Sequence, residues 1–164
     1  MALSNTQLYS FYENPHWHYF GVSRQGQWAS IVKKGGEGQW HSFILHTPLP
    51  TRKYSRYGVR LTRSSNCDVM LGVGTRRVFG KQEAFKEKCS VVRNCNNGRV
   101  WAGGVGMKEG GGAEEGDLVV VEAWLGTGKI GWVVNTDRKT EVQLPASMER
   151  EELFLMIMMY GSED

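Results

Sequence analysis

The sequence lacks several features that would place a protein in a large functional class. No run of about 18 apolar residues occurs, so no segment is predicted to span a membrane. The N-terminus has no basic start followed by an apolar stretch, so we expect no secretory signal. Only three cysteines occur, at positions 67, 89 and 95, and their odd number and irregular spacing argue against a disulfide framework. We therefore expect an intracellular protein, cytoplasmic or nuclear.

Motifs for catalysis and metal binding are also scarce. The segment Gly126–Gly131 matches the dinucleotide pattern GxGxxG, but it leads into an apolar strand and not into a helix, which predicts a hairpin turn. His16 and His18 would share one strand face, yet a zinc site needs three or four ligands and the spacing supplies no third. We expect no enzyme activity, no cofactor and no metal site. A catalytic pair of carboxylates that lie far apart in the sequence and meet only in the fold remains an open alternative.

Glycine and tryptophan are plentiful, with 21 and 6 residues in a chain of 164. Glycine supplies the positive φ angles of tight turns, and aromatic side chains favour strands. Short apolar runs recur between the turn signals. The pattern predicts an all-β fold, a two-sheet antiparallel β-sandwich with at most two short helices. The predicted strands are Trp17–Val22, Gln27–Lys33, Trp40–His46, Tyr57–Arg63, Cys67–Val73, Gly98–Gly103, Asp117–Leu125, Lys129–Asn135, Glu141–Leu144 and Leu153–Tyr160.

The segments between these strands carry their own signals. Asn96-Asn97-Gly98 is typical of a hairpin turn. Lys81–Lys88 and Ser147–Glu152 are each long enough for about two helical turns, too short for a parallel β-α-β unit. Gly103–Gly112 is predicted to be a flexible loop.

The last strand, Leu153–Tyr160, is apolar on both of its faces. An antiparallel sandwich strand needs only one buried face, so a second apolar face requires a cover. We expect Phe154 and Met156 to be covered by another part of the chain. For Met158–Tyr160 two interpretations stay open: the same kind of cover, or a Met-rich contact with a partner.

Charge is spread unevenly along the chain. Residues 1–108 carry 16 basic against 5 acidic side chains, and residues 109–164 carry 4 against 12. A basic surface over residues 52–81 makes nucleic-acid binding an alternative to protein binding. A solvated basic surface is the simpler interpretation. The basic residues concerned are Arg52, Lys53, Arg56, Arg60, Arg63, Arg76, Arg77 and Lys81.

The segment Glu115–Asn135 resembles the pattern of SPRY domains. In that family a G-D-x-[IV] strand, a short turn containing G-T and a strand ending in Asn follow one another; here Gly116-Asp117, Gly126-Thr127 and Asn135 occupy these places. The family often has an Asp near the position of Ala123-Trp124, which is missing here.

The resemblance extends over about residues 20–161. Tyr57–Leu61 and Val69–Val73 are similar to paired strands of the family, and Leu153–Gly161 is similar to its closing strand. The usual proline before the closing strand is absent, and no PRY segment of the longer B30.2 version is evident. The chain therefore resembles a divergent SPRY domain of the B30.2/SPRY-like superfamily, with residues 1–19 expected to pack on a sandwich of residues 20–164.

The resemblance implies a concanavalin-like sandwich that acts as a non-catalytic protein-interaction module. Members of the family hold a peptide or a partner's surface with loops at one end of the sandwich, often within adaptors, scaffolds and larger complexes. Lectin-like sugar binding is a further alternative, because lectins share the fold outline. We expect a protein partner, with nucleic acid second and no membrane contact.

A partner surface is predicted from three chain segments, because Tyr and Arg side chains anchor many interfaces. Phe79 is included because it stands between Arg77 and Lys81 without alternating apolar neighbours, which places it poorly for a core position. The predicted partner-binding residues are Tyr54 and Arg56 before Tyr57, Arg76, Arg77 and Phe79 after Val73, and Met159, Tyr160 and Gly161 at the end of the closing strand.

Overall fold

The structure is a computed structural model of the chain. It describes residues 20–25, 28–33, 38–51, 53–61, 68–107 and 110–161. The predicted N-terminal segment 1–19 lies outside these residues, as do residues 17–19, 27, 62–63 and 67 of the predicted strands. Two short 3-10 helices are present in the described parts, Arg76–Val78 and Ala84–Lys86.

The described residues form twelve β-strands. In chain order they are β1 (Phe20–Gln25), β2 (Trp28–Lys33), β3 (His41–Ile44), β4 (Tyr54–Arg60), β5 (Asp68–Gly74), β6 (Ser90–Asn94), β7 (Val100–Ala102), β8 (Val105–Met107), β9 (Leu118–Trp124), β10 (Lys129–Val134), β11 (Asp137–Gln143) and β12 (Phe154–Tyr160).

The strands are antiparallel and build two main sheets. One sheet has six strands in the order β3-β12-β5-β6-β7-β8, and the other has four in the order β11-β10-β9-β4. A separate hairpin pairs β1 with β2. The predicted all-β sandwich with at most two short helices is confirmed. Within the described part of the chain, neither helix has the length or the apolar character to cross a membrane.

The two sheets share one core, and Trp132 of β10 joins them. Its side chain is fully buried, and its Nε1 donates a hydrogen bond of 2.8 Å to the carbonyl oxygen of Leu71 in β5 of the other sheet. Side chains alternate between the two faces of the four-stranded sheet. In β9, Val119, Val121 and Ala123 are fully buried on the inner face. The remaining side chains of β9 lie on its outer face.

The closing strand β12 lies inside the six-stranded sheet, between β3 and β5, and its two apolar faces are explained by a cover on the outer side. The segment 75–89 folds over the outer face, where Phe79 packs edge-to-face on Phe154 at 5.2 Å between ring centroids. Phe154, Met156 and Met158 are all buried. The predicted cover of Phe154 and Met156 is therefore confirmed. Of the open positions, Met158 is covered, whereas Tyr160 is 37% exposed.

The predicted hairpin turns occur where glycine is required. Gly98 has φ +76, and a Cβ there would lie 1.7 Å from the carbonyl oxygen of Gly110. Gly128, at the end of the turn between β9 and β10, has φ +67. Both positions need a residue without a side chain, because L-residues rarely adopt this conformation.

Three expectations about the connecting segments are wrong. The predicted loop Gly103–Gly112 contains strand β8, which forms a hairpin with β7. Strand β6 was not predicted, because it is buried on both faces and so shows no alternation. Lys81–Lys88 forms only the single 3-10 turn Ala84–Lys86, and Ser147–Glu152 forms turns without a helix.

Candidate partner-binding surfaces

The sandwich has two ends, which can be named by the residues of β12. At the Phe154 end, the Leu49 N–H donates to the Leu153 carbonyl at 2.7 Å shortly before the chain enters β4 at Tyr54. At the Tyr160 end, Tyr160 pairs with Asp68, the first residue of β5. Because β12 has seven residues, the two ends lie about 20 Å apart.

The structure does not bring the eight predicted residues onto one surface. Tyr54, Arg56, Arg76, Arg77 and Phe79 lie at the Phe154 end, since Gly74, just before the Arg76–Val78 turn, pairs with Phe154. Met159, Tyr160 and Gly161 lie at the opposite end. Tyr54 and Arg56 are also part of strand β4 and not of a loop before Tyr57. Sequence reasoning missed this separation because the direction of each strand in the sheet was unknown.

An exposed aromatic pair occupies the outer face of the four-stranded sheet. Tyr54 is 49% exposed and stacks on Trp124, with 5.4 Å between ring centroids and 29° between ring planes. The antiparallel register places Tyr54 opposite Trp124 and Arg56 opposite Glu122. Cross-strand partners on one face touch each other, so this arrangement follows directly from the pairing of β4 with β9.

A buried carboxylate organises this pair. The Glu122 side chain is only 5% exposed, and its Oε1 accepts a 2.5 Å hydrogen bond from the Tyr54 hydroxyl. The Arg56 Nε lies 3.4 Å from the same oxygen. Hydrogen bonds to a charged acceptor are the strong ones, so Glu122 fixes the orientation of both exposed side chains. These four residues, Tyr54, Arg56, Glu122 and Trp124, are called the Tyr54 patch below.

The arginines of the Arg76–Val78 turn are held by acidic side chains. The Arg76 guanidinium lies 5.2 Å from the centre of the Phe154 ring, and its Nε is 3.6 Å from Glu152. Arg77 forms an ion pair with Glu151, and its Nη2 donates to the Ser147 carbonyl at 2.9 Å. Both arginines stay exposed while their positions are restrained.

Phe79 differs from its expected place. It is half-buried and packs against the hydrophobic core, in addition to its edge-to-face contact with Phe154. The expectation that it avoids the core is wrong, because the chain turns over the outer face of the six-stranded sheet after β5. Phe79 therefore helps to cover the Phe154 end and supports the two arginines.

At the Tyr160 end, the three predicted residues have different environments. Met159 is partly buried against the core. Tyr160 contacts Trp40 at 5.4 Å between ring centroids. The Gly161 carbonyl oxygen accepts a 2.6 Å hydrogen bond from Nζ of the buried Lys33. Tyr160 is thus the exposed member of this group.

Trp124 and Glu122 were missed by sequence reasoning. The alternation of β9 could have placed both on the face opposite Val121 and Ala123. Their contact with Tyr54 and Arg56, however, depends on the register between two strands distant in sequence, and no residue pattern states that register.

The shifted titrating groups lie within the sandwich. Burial raises the pKa of Cys95 to about 12, and the nearby Arg93 opposes this shift. Burial also raises the pKa of Tyr57, with a smaller opposing effect from a hydrogen bond with the Ser55 side chain. The Cys95 thiol is therefore protonated at neutral pH and is a poor nucleophile.

No group of three or more His, Cys, Asp or Glu side chains that could hold a metal occurs in the part of the chain that the structure describes. His16 and His18, considered above as a ligand pair, lie outside the described residues, as do Arg52 and Arg63 of the basic surface.

Comparison with known proteins gives structural neighbours only. No family model matches the sequence, and no curated protein does. A crystal structure of a human SPRY domain matches with a TM-score of 0.66 at 16% identity, covering 87% of this chain and 91% of that one. The SPRY domain of human HERC1 matches with a TM-score of 0.62 at 14% identity, covering 81% of each chain. The TRIM65 PSpry domain matches with a TM-score of 0.65 at 13% identity, covering 94% of this chain and 91% of that one.

Identities this low carry information about the fold and not about the site. The matches nonetheless span most of both chains in each comparison, and they agree with the sequence pattern around Gly116-Asp117 and Asn135. The chain therefore has the fold of SPRY domains.

Proposed function

We propose that the chain is a non-catalytic protein-interaction module, working within a larger intracellular complex, that holds a peptide or folded surface of a protein partner at the Phe154 end of the sandwich. The observation that carries this proposal is the Tyr54 patch: an exposed Tyr-Trp stack whose orientation is fixed by a buried carboxylate.

The composition of the patch suits an interface anchor. Trp, Tyr and Arg are the side chains most often found to carry binding energy, since each offers a large contact area together with hydrogen bonding. Tyr54 and Arg56 are already oriented by Glu122. Less side-chain entropy is then lost when a partner binds, which favours affinity.

Arg76 and Arg77 lie at the same end of the sandwich but over the outer face of the six-stranded sheet, so a partner contacts them by reaching round this end from the Tyr54 patch. Both are exposed and restrained by Glu152 and Glu151, so they offer N–H donors at fixed positions. Phe79 packs on Phe154, the ring over which the Arg76 guanidinium lies. Met159, Tyr160 and Gly161, at the opposite end, do not belong to this surface.

A protein partner is favoured over nucleic acid by the local charges. Arg56, Arg76 and Arg77 each lie beside a glutamate, so three of the six described cations of the basic surface of residues 52–81 carry an acidic partner. Binding to a phosphate backbone depends on uncompensated cations and weakens steeply with salt. A contact led by aromatic stacking depends much less on salt.

The fold supports the same choice. Domains with the SPRY fold are, by the resemblance described above, mostly protein-interaction modules. The proposal for this chain adds the surface and its anchors, which come from its own residues.

The test is a pull-down from native cells with and without nuclease, followed by titration of the purified partner. We expect capture to survive nuclease treatment and Tyr54→Ala to weaken the purified complex by at least about tenfold. Val105→Ala, which shortens an exposed apolar side chain on β8 outside the Tyr54 patch, is the control and should leave this affinity unchanged. Capture that disappears with nuclease, or equal affinity of Tyr54→Ala and wild type, contradicts the proposal.

A further inference from the structure

A second set of aromatic side chains crosses the outer face of the six-stranded sheet. Four rings follow one another with centroid distances of 5.4, 5.6 and 4.9 Å. They come from β12, from the residue before β3, from the Ala84–Lys86 turn and from β7. These rings, Tyr160, Trp40, Phe85 and Trp101, are called the aromatic row below.

An arginine ends this row in a fixed position. The Arg99 guanidinium lies over the Trp101 ring, 4.6 Å from its centroid. Gly106 in β8 makes room for it, since a Cβ at that position would be 2.7 Å from Nη2 and 2.9 Å from Nε. The Arg99 backbone is held as well: its N–H donates to Asn97 Oδ1 at 2.9 Å, and its carbonyl accepts from Asn94 N–H at 2.8 Å.

Arg99 differs from the arginines at the Phe154 end in having no acidic neighbour among the residues that the structure describes. It is exposed, and no described carboxylate lies within salt-bridge distance of it. A guanidinium stacked on an aromatic ring keeps its planar set of N–H donors free for a carboxylate, which it can bind through two parallel hydrogen bonds.

The Arg99 end of the row is more basic than its Tyr160 end, where Asp68 lies opposite Tyr160. Between residues 81 and 99 the exposed cations are Lys81, Lys86, Lys88 and Arg99, against Glu83 and Glu87. One of these cations, Lys86, is paired with Glu83 at 2.7 Å. Lys86 also lies 5.6 Å from the centre of the Phe85 ring. The positive charge therefore lies towards the Arg99 end of a row whose Phe85 ring is buried and whose Tyr160 ring is exposed.

We propose that the aromatic row and Arg99 form a second docking surface, independent of the Tyr54 patch, for an acidic extended segment of a protein. The carboxylate of one Asp or Glu binds Arg99, and an apolar side chain at the other end of the segment packs on Tyr160, the exposed end of the row. Three ring intervals give a length of at most about 16 Å, which about five extended residues cover.

The ring geometry favours a peptide over single-stranded nucleic acid. Trp40 contacts Phe85 at 65° and Phe85 contacts Trp101 at 68°, so the rings pack edge to face. Bases stack on ring faces that are open to solvent, and here neighbouring rings cover part of those faces.

The experiment is a selection from a displayed library of random twelve-residue peptides on the intact chain, followed by titration of the enriched peptides. We expect Asp and Glu to be enriched, and Arg99→Ala to weaken the selected acidic peptides by at least about tenfold. Arg150→Ala removes the same charge from an exposed position in the segment before β12 and should change little.

A second variant tests the placement of the guanidinium separately from its charge. Gly106→Ala keeps every charge, but its Cβ displaces Arg99 from Trp101, so we expect a several-fold loss of affinity.

Three outcomes overturn the proposal: no enrichment of acidic peptides, equal binding to Arg99→Ala and wild type, or a loss with Tyr54→Ala and not with Arg99→Ala. A Gly106→Ala variant that binds like wild type overturns the role of the seated guanidinium. Tighter binding of a single-stranded oligonucleotide than of the peptides overturns the choice of partner.

Discussion

The two outer faces of the sandwich present the same residue types in different electrostatic states. On the four-stranded sheet, Arg56 and the Tyr54 hydroxyl converge on the buried carboxylate of Glu122. On the six-stranded sheet, Arg99 lies on Trp101 with no described carboxylate near it. One surface carries its own counter-charge, and among the described residues the other does not.

This difference separates two ways of binding a partner. A compensated surface such as the Tyr54 patch gains little from electrostatic attraction, and its affinity rests on shape and aromatic contact. An uncompensated surface such as the aromatic row attracts acidic segments over a distance and responds to salt. If both surfaces act as proposed, one chain holds two partners, or two parts of one partner, under different conditions.

The largest expected effect destabilises both outer faces together, because the two sheets share one core. Trp132→Ala takes away a fully buried side chain and its hydrogen bond to Leu71. We expect a loss of about 3–5 kcal/mol in the free energy of unfolding, measured by urea denaturation. Trp132→Phe keeps most of the packing and should cost clearly less. Equal stability of the Ala variant and wild type would contradict the shared core.

The next largest effect is local to the turn that holds Arg99, on the side of the six-stranded sheet. Gly98→Ala places a side chain at φ +76 and drives a Cβ into the Gly110 carbonyl, in the turn that leads directly to Arg99. We expect a loss of stability of about 2–4 kcal/mol. Binding of acidic peptides to the aromatic row should weaken more than partner binding at the Tyr54 patch.

The control for that substitution lies in the turn between β9 and β10, beside the Tyr54 patch. A Cβ at Gly126 would meet nothing within 4 Å, so Gly126→Ala should be within about 0.5 kcal/mol of wild type. If both variants were equally stable, the close approach between the turn 95–98 and residue 110 would not exist.

Most of the fold could be predicted from the sequence because alternation and turn residues are local signals. β4 and β9 show the alternation expected of half-buried strands, and Gly98 marks its turn. β6 escaped because a strand buried on both faces has no alternation, and Val105–Met107 escaped because glycines on each side resemble a loop.

The sites were only partly predictable for a different reason. Tyr54, Arg56 and Tyr160 could be selected by residue type, but their neighbours Trp124, Glu122 and Trp40 are brought to them by strand register and by the path of the chain. The separation of Tyr160 from Tyr54 likewise depends on the order and direction of strands, which short-range patterns do not encode.

Alkaline pH tests a smaller difference between the sheets. The pKa of Cys95 is raised to about 12, from an ordinary value of 9.0, so the folded state keeps the thiol proton longer than the unfolded state does. Stability is therefore full below pH 9 and falls as the pH rises towards 12. At pH 10 the loss from this group is about 1.4 kcal/mol, since one pH unit above the unfolded pKa corresponds to that energy.

Urea unfolding of wild type and Cys95→Ala between pH 7 and 10.5 measures this loss. The variant should have a flatter pH dependence, and the remaining slope includes Tyr57 of the four-stranded sheet, whose pKa is also raised by burial. Parallel curves for the two proteins would show that the Cys95 thiol does not contribute.

The smallest expected effect converts one surface towards the other. Glu122→Gln keeps the shape of the side chain but removes the charge that Tyr54 and Arg56 share. We expect a loss of about 1 kcal/mol, because a hydrogen bond to a charged acceptor becomes a neutral one while the exposed Arg56 is still solvated. Arg56 then resembles Arg99, an exposed guanidinium without a carboxylate beside it.

Acidic peptides selected on the aromatic row should consequently show a second, weaker site by calorimetric titration. Glu141→Gln, which breaks the exposed 2.8 Å pair with Lys129 on the same sheet, is the control and should create no such site. If Glu122→Gln leaves the peptide stoichiometry at one, compensation by Glu122 is not what distinguishes the two faces.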